Sequence, residues 1–350
     1  MATPAKKRIL SGMRPTGKLH LGNFVGALEN WVKMQGEYDN YHLVADWHVL
    51  TTDYEHANEI LPNTLEMVKD WLAAGIDPSA SPMFRQSQVK EHAELHLILS
   101  MLVSTARLQR NPTLKEQVKD LEDRLRARME AGEDLAENEA GEMSLITYGH
   151  LGYTVLQAAD ILLYKGNAVP VGEDQLPHIE ITREIARRFN RAFGVVFPVP
   201  VGVVLKETKF SRLPGPDGRR MSKSLGNTIF LGDDEEQTKK QIMSAVTDPQ
   251  KVRKNDPGRP EVCNVFTYHQ KFNPDEVPQI EADCRSGALG CVACKQNCAT
   301  KLNGYLASMR ERRLRYSDNE VLEILLDGEK RARAVAEATM GEVREAMKIG

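Results

Sequence analysis

The sequence predicts an α/β domain built on a parallel sheet, followed near residue 230 by an all-helical part. Three observations carry this reading. Short apolar runs alternate with stretches of helical period, the pattern of parallel strands joined by crossover helices. Glycine-bearing turns stand at the ends of those runs, where parallel sheets bind ligands. After Leu231 the strand signal disappears.

Residues 1–7 read as a basic arm. Arg8 to Leu10 is a short buried strand, ending at Ser11-Gly12 and a turn at Arg14-Pro-Thr-Gly17. From Gly22, Phe24, Val25, Leu28, Trp31 and Val32 recur at helical period. Tyr41 to Ala45 fits a strand buried on both faces. Ile60, Leu61, Leu65, Val68 and Leu72 mark a helix ending near Gly75; Pro82 to Phe84 is a weak strand and Leu95 to Leu102 a helix. A charged insertion then occupies about 107–142: from Lys115 to Glu142, 15 of 28 positions are charged, with Leu121 and Leu125 as sparse apolar points. That composition predicts a solvated helix, open to a plain surface role, a dimer contact or substrate gating.

Order resumes with a helix from about Leu151 to Tyr164, then a strand from Ala168 that ends at Gly172. A helix starting near Glu173-Asp174 carries Leu176, Ile179, Ile185, Ala186 and Phe189 on one side. Pro198 to Leu205 is a further strand, and Lys206 to Asn227 a loop rich in Gly, Pro, Lys and Arg. Helical segments follow over about 233–247, after Lys295, around Leu322 and after Glu329.

At 350 residues the chain is long enough for about two domains. No apolar run approaches the ~20 residues of a membrane span, and Ile9-Leu10 is too short for a signal-peptide segment, so a cytoplasmic place is expected. The net charge of −3 excludes a partner mode driven by global positive charge and leaves room for local basic patches. All five cysteines fall within 36 residues, and four form the pattern C-x20-C-x6-C-x2-C: Cys263, Cys284, Cys291 and Cys294. An odd count without an export signal argues against a disulfide scaffold; the clustering suits four thiolates on a zinc ion or an iron–sulfur cluster. Cys298 reads as a small buried hydrophobe.

Three segments carry phosphate-type chemistry. In Pro15-Thr-Gly-Lys-Leu-His-Leu-Gly-Asn23, the glycines allow close backbone approach and the helix start offers free N–H groups to an anion. His20 and Asn23 lie one turn apart. Neither a Walker-type loop nor a dinucleotide fingerprint is present. Arg220-Met-Ser-Lys-Ser224 places the cation Lys223 among hydroxyls in a basic loop, suited to charge developing on a triphosphate. Val169-Pro-Val-Gly-Glu-Asp-Gln175 puts acidic and amide groups after a glycine at a strand end.

Together these segments resemble the HIGH and KMSKS motifs of class I aminoacyl-tRNA synthetases, here His20-Leu-Gly-Asn23 and Arg220-Met-Ser-Lys-Ser224. Ser11 to Gly17, Tyr153 to Tyr164, Val169 to Gln175 and His178 to Asn190 are similar to the tryptophanyl-tRNA synthetase family, and the likeness runs over nearly the whole chain. The resemblance implies a Rossmann-like catalytic domain over 1–230, a helical anticodon-binding domain over 231–350, and a homodimer. It implies tryptophan activation by ATP with Mg²⁺, then transfer to tRNA(Trp), with positioning and charge stabilisation supplying the acceleration.

Carried over by motif, His20, Asn23, Lys223 and Arg220 are the catalytic candidates. Arg220 replaces the usual first lysine of KMSKS and brings a planar donor set. Arg14, Thr16, Gly22, Gly172, Asp174, Met221, Ser222 and Ser224 are candidates for the ATP site, and Lys115 for a further phosphate contact. Tryptophan presents one donor, the indole N–H, on a large apolar body. The resemblance makes Asp160 its acceptor, Leu10, Val169 and Val171 the walls with Gly12, and His48, Tyr153, Gln157 and Gln175 the polar end. Gln157 stands where some members carry methionine.

Tyrosyl-tRNA synthetase is the rival, since its pocket helix also shows Tyr-x-x-x-Gln-x-x-Asp. That family uses a tyrosine from the first strand, whereas Arg8 to Leu10 offers no hydroxyl. The cysteine set is similar to one that holds a [4Fe–4S] cluster in a bacterial subset of the tryptophanyl family, with zinc as the other occupant. A non-catalytic iron–sulfur nucleotide-binding regulator is a further alternative, which intact His20, Asn23 and Lys223 disfavour. Lys251, Arg253, Lys254 and Arg259, and the run Arg310, Arg312, Arg313 and Arg315, suit either RNA phosphates or a solvated face.

Overall fold

The computed structural model describes residues 6–130, 132, 147–172, 175–204, 210 and 213–350. Five parallel strands form one sheet: β1 (Arg8–Met13), β2 (Asp39–Val44), β3 (Met83–Arg85), β4 (Ala168–Val171) and β5 (Val201–Val204), in the order β3-β2-β1-β4-β5. The chain builds outward from β1 to β3, then returns to lay β4 against the other side of β1. Beyond the carboxyl ends of β1 and β4 this reversal opens a crevice. β1 runs three residues past the predicted end, so Ser11 and Gly12 belong to the strand.

Alternate strand residues face two apolar clusters, as a sheet covered on both sides requires. On one side Val44 and Met83 pack with Phe24, Leu28, Trp31 and the helix Ile60–Ala74. On the other, Leu10, Leu43 and Phe84 pack with the helices Glu91–Ser100, Tyr153–Leu163 and Leu176–Phe193. Gly75 ends the helix Ile60–Ala74 in the left-handed conformation, φ +108°, which explains the glycine there. The segment after Gly22 is helical but not uniform: a π-helical turn, Phe24–Leu28, separates Leu21–Asn23 from Glu29–Met34. Of the charged insertion, Pro112–Glu130 is one helix, and the insertion's first residues end the short helix Thr105–Gln109.

The C-terminal part is helical, with two elements the periodicity did not reveal. Asn264–Phe272 and Val277–Ser286 are short, and the prolines between them sit in helical first turns, where a missing N–H is tolerated. Cys291–Arg313 starts earlier than expected and takes in Cys291 and Cys294. Leu322 and the stretch after Glu329 belong to one 30-residue helix, Asp318–Met347.

That last helix lies along the edge strand β3. Val321 and Leu325 join the first apolar cluster, and Ala332, Ala336, Met340 and Val343 the second. Close approach depends on Gly328, where a Cβ would stand 1.9 Å from the Met83 carbonyl oxygen. Beside it Glu329, 4% exposed, pairs with Arg85 at 2.6 Å. The helix thereby covers an edge that would otherwise expose unpaired backbone. Gly328→Ala forces helix and strand apart, and we expect a loss of about 1–3 kcal/mol. Urea unfolding followed by circular dichroism should give a lower midpoint at unchanged slope; an unaltered midpoint would deny the close packing.

Candidate active site

The crevice between β1 and β4 holds a cavity of about 630 Å³. Its wall includes Leu10, Gly12, Arg14, Thr16, His20, Asn23, His48, Tyr153, Gln157, Asp160, Val169, Val171, Gly172, Gln175, Arg220 and Lys223. Sixteen candidate residues from remote segments therefore meet in one place. Gly22, Met221 and Ser222 are not among the lining residues. Lys115 is exposed and also absent from the wall. Asp174 and the side chain of Ser224 lie outside what the structure describes.

At one end the groups suit phosphate. His20 caps the helix start in a reciprocal pair: its Nδ1 accepts the Asn23 N–H at 3.3 Å, and Asn23 Oδ1 accepts the His20 N–H at 3.1 Å. Burial, with the neighbouring cations Lys223 and Arg220, pulls the His20 pKa down to about 4. The ring is therefore neutral at pH 7. With Nδ1 accepting, its proton is on Nε2, the nitrogen left to donate. Gly22 is needed because a Cβ there would stand 3.0 Å from His20 Nδ1.

Lys223 donates to the Thr16 carbonyl at 2.6 Å, tying the two motifs together. Burial pushes its ammonium pKa down, against the pull of Asp70. The loop around it is held by Asn227, which accepts the Ser222 N–H at 2.8 Å and donates to Asp217 and to the Arg220 carbonyl. Backbone bonds from Leu21 to Ile229 and from Leu231 to Leu19 then join this loop to the His20 segment. Met221 is 4% exposed and belongs to the apolar cluster, so it anchors the loop from behind.

The other end is built around Asp160, 2% exposed. Its Oδ2 meets His48 Nε2 at 2.9 Å; its Oδ1 meets His92 Nδ1 at 2.7 Å and accepts from Gln86 Nε2 at 2.7 Å. Burial alone pushes this carboxyl up, but the bonds from His48 and His92 together outweigh it and hold Asp160 below the usual carboxylate range. It is therefore an anion. A carboxylate has about four lone-pair sites, so one acceptor site remains on Oδ2. His92 is fixed in turn by Tyr164 Oη at 2.8 Å. Around this end stand Leu10, Val169 and the ring of Tyr153, which packs on His48 at 4.2 Å. Gln157 lines the wall, and among the described residues its buried Oε1 has no hydrogen-bond partner.

Gln86 and His92 escaped the sequence reading. Both are wholly buried, lie outside the cavity wall and reach it through Asp160. No local pattern marks them, beyond the rule that a buried carboxylate needs donors. Ser11 and Trp31 also line the cavity unforeseen. Ser11 corrects one argument: the first strand does carry a hydroxyl, and its buried Oγ lacks a partner among the described residues.

The arginine run is a second correction. Arg310 bonds Asn303 and Thr238, Arg312 the Ala73 carbonyl, and Arg313 both Asp70 and Glu66. Three of the four guanidinium groups thus join elements inside the chain, and Arg315 is exposed. In the other basic patch Arg259 pairs with Asp248 at 2.7 Å and Lys251 donates to the Asp256 carbonyl, while Arg253 and Lys254 are exposed.

Cys263, Cys284, Cys291 and Cys294 lie within mutual electrostatic reach. Burial and then its three neighbours push the Cys294 thiol up to about 12. Gly258 makes room beside Cys284, where a Cβ would come within 2.6 Å of the sulfur. Among the described residues, however, no group of three or more His, Cys, Asp or Glu side chains is arranged to hold a metal ion. Cys298 is buried, as expected of a small hydrophobe.

Comparison with known proteins agrees with this geometry. Residues 3–307 match the family described as tRNA synthetases class I (W and Y). The tryptophan–tRNA ligase of Aquifex aeolicus is 46% identical, covering 98% of this chain and all of that protein. That of Thermotoga maritima is also 46% identical, over 98% of this chain and 99% of its own. Among solved structures, the tryptophanyl-tRNA synthetase of Campylobacter jejuni complexed with ADP and tryptophan superposes with a TM-score of 0.81 at 32% identity, covering 97% of this chain and 99% of that one.

Asp160→Asn keeps the shape but removes the charge and turns one acceptor into a donor. We expect the KM for the amino acid to rise roughly ten- to a hundred-fold, the range set by about 1–3 kcal/mol for a mismatched buried polar contact. Steady-state kinetics of the variant check this; an unchanged KM would remove Asp160 from recognition.

Proposed function

The chain belongs to the class I tryptophan–tRNA ligases, and from that premise we propose that the crevice between β1 and β4 is where tryptophan is activated by ATP before transfer to tRNA(Trp). The enzyme is an aminoacyl-tRNA synthetase. In the first step a tryptophan carboxylate oxygen attacks the α-phosphorus of ATP, and pyrophosphate leaves with the electron pair of the broken P–O bond. In the second, a ribose hydroxyl of the terminal adenosine attacks the acyl carbon and AMP leaves. Neither step needs a covalent bond to the protein.

One observation carries the amino-acid assignment: a buried carboxylate, held anionic by His48, His92 and Gln86, with one acceptor site left at an apolar wall. Its single acceptor matches the single donor of an indole. Gln157 Oε1, buried and without a partner, suits the substrate ammonium. At the other end neutral His20 donates through Nε2 to phosphate, beside the backbone groups it helps to arrange. Lys223 exchanges the Thr16 carbonyl for phosphate oxygen as charge moves onto pyrophosphate. Arg14, Thr16, Asn23 and Arg220 complete that end, with Met221 and Asn227 supporting their loop. Mg²⁺ fits as the counter-ion of ATP held by phosphate oxygens, since among the described lining residues Asp160 is the only carboxylate and its bonds are committed.

Division into a catalytic unit over 1–230 and an anticodon-binding unit over 231–350 accompanies this reading, with Arg253, Lys254 and Arg315 as exposed cations for tRNA. A homodimer is supported by Leu97 and Met101, one helical turn apart and 57% and 70% exposed. Among the described residues no helix is long and apolar enough to cross a membrane, which is compatible with a cytoplasmic place.

The cysteine pattern and the mutual reach of the four thiols support a [4Fe–4S] cluster, or zinc, held by Cys263, Cys284, Cys291 and Cys294. The raised pKa values of Cys263, Cys284 and Cys294 favour their neutral thiols until a metal displaces the protons. The role of such a group here is structural, since adenylation moves no electrons.

Two measurements test these readings. Amino-acid-dependent ATP–pyrophosphate exchange should proceed with tryptophan; exchange with tyrosine alone would reverse the assignment. Protein purified without oxygen should hold about four iron and four sulfide per chain, with zinc alone selecting the other occupant and neither overturning both.

A further inference from the structure

Asp70 lies at the centre of the helix Ile60–Ala74 and is wholly buried. Neither motif contains it. Its Oδ2 accepts the Leu19 N–H at 2.7 Å, one residue before His20. Its Oδ1 accepts from Arg313 Nε at 2.8 Å. The same guanidinium reaches Glu66 at 2.7 Å, and Gly232 fits against it, where a Cβ would stand 3.1 Å from Nε. Arg313 is the last residue of the helix Cys291–Arg313.

We propose that the Asp70–Arg313 pair is a positioning element for adenylate formation, through which the C-terminal helices set the place of the His20 segment and of Lys223. The proposal rests on reading the crevice as the adenylation site.

Three features support it. The carboxylate touches the chain at the residue that sets where the His20 cap begins. Leu19 is also bonded through its carbonyl to Leu231, so both of its backbone groups are fixed, one by Asp70 and one by the strap that follows the Lys223 loop. Asp70 is moreover the opposite charge acting on the Lys223 ammonium, beside the carbonyl that Lys223 holds. A buried carboxylate with one backbone donor and one guanidinium is a two-point clamp. Removing the guanidinium leaves it charged and uncompensated, or protonated, and in either case moves the backbone it holds. Misplacement of reacting groups by about 1 Å can lower a rate roughly a hundred-fold.

The test is pre-steady-state tryptophanyl-adenylate formation in the full-length protein, with thermal unfolding measured alongside. Arg313→Met should lower the rate constant of activation roughly ten- to a hundred-fold, with tryptophan KM unchanged because the Asp160 end is untouched. Arg313→Lys, which restores one charge but not the fork, should recover part of that loss. Because Arg313→Met strips a partner from a buried charge, Glu66→Gln serves as the folding-safe companion. It loosens only the outer, half-buried arm and should give a smaller fall of the same kind. Combined with Arg313→Met, it should add nothing.

A lower unfolding temperature with an unchanged activation rate, in Glu66→Gln and in any folded Arg313 variant, overturns the proposal and leaves the pair purely structural. A parallel rise in tryptophan KM overturns it too, since the clamp should act at the phosphate end. Failure of the unaltered chain to form adenylate would strike the reading of the crevice rather than this pair.

Discussion

Two buried carboxylates govern the arrangement of this molecule. A carboxylate removed from water must find donors for its lone pairs or give up its charge. Asp160 finds His48, His92 and Gln86; Asp70 finds Leu19 and Arg313. Each set draws on elements remote in sequence, so each carboxylate fixes their relative positions as the condition of its own burial. One set defines the apolar-walled end of the crevice. The other fixes the backbone beside His20 at the opposite end. The sheet reversal supplies the gap between β1 and β4, and these two anions decide what shape it keeps.

The phosphate end is electrostatically asymmetric in a useful way. Lys223 and Arg220 oppose protonation of His20, which burial already disfavours. The result is a neutral donor among cations. A neutral imidazole presents an oriented N–H without adding to their mutual repulsion, and it leaves the mobile positive charge to the lysine. Lys223 donates to the Thr16 carbonyl, a neutral acceptor, and a bond with charge on both partners is stronger than one with charge on the donor alone. The tie thus joins the two motifs through one lysine and one backbone carbonyl.

Where local chemistry repeats along the chain, the fold and the site are legible in the sequence. Strand runs buried on both faces, the glycine ending the helix Ile60–Ala74, and the motif residues that line the cavity all declare themselves within a few neighbouring positions. The misses share a different origin. Gln86 and His92 matter only because Asp160 is buried, which depends on a helix more than sixty residues away. The run from Arg310 to Arg315 reads as a solvated or RNA-facing patch because Asp70, Glu66 and Ala73, the partners of Arg312 and Arg313, are about 240 residues distant. Gly328 looks like a weak point in a helix until the Met83 carbonyl is found against it. Such contacts come from tertiary packing, and a pattern confined to one segment holds no information about them.

Discrimination between tryptophan and tyrosine then rests on donor and acceptor counts rather than on one diagnostic side chain. The first strand does bring a hydroxyl, Ser11, to the wall, so the lack of one cannot exclude a phenol. The state of Asp160 is the stronger argument. Three of its four acceptor sites are occupied by groups that are themselves held: His92 by Tyr164, and His48 by packing on Tyr153. An indole N–H satisfies the remaining site and asks for nothing in return. A phenol that donates there leaves its own oxygen needing a donor; both imidazole N–H groups facing Asp160 are already spent on it, so that donor would have to be the Ser11 hydroxyl. Stripping either one away would raise the carboxyl's pKa and weaken the acceptor that the ligand requires. The donors that keep Asp160 charged therefore have nothing left to give to a second polar atom of the ligand.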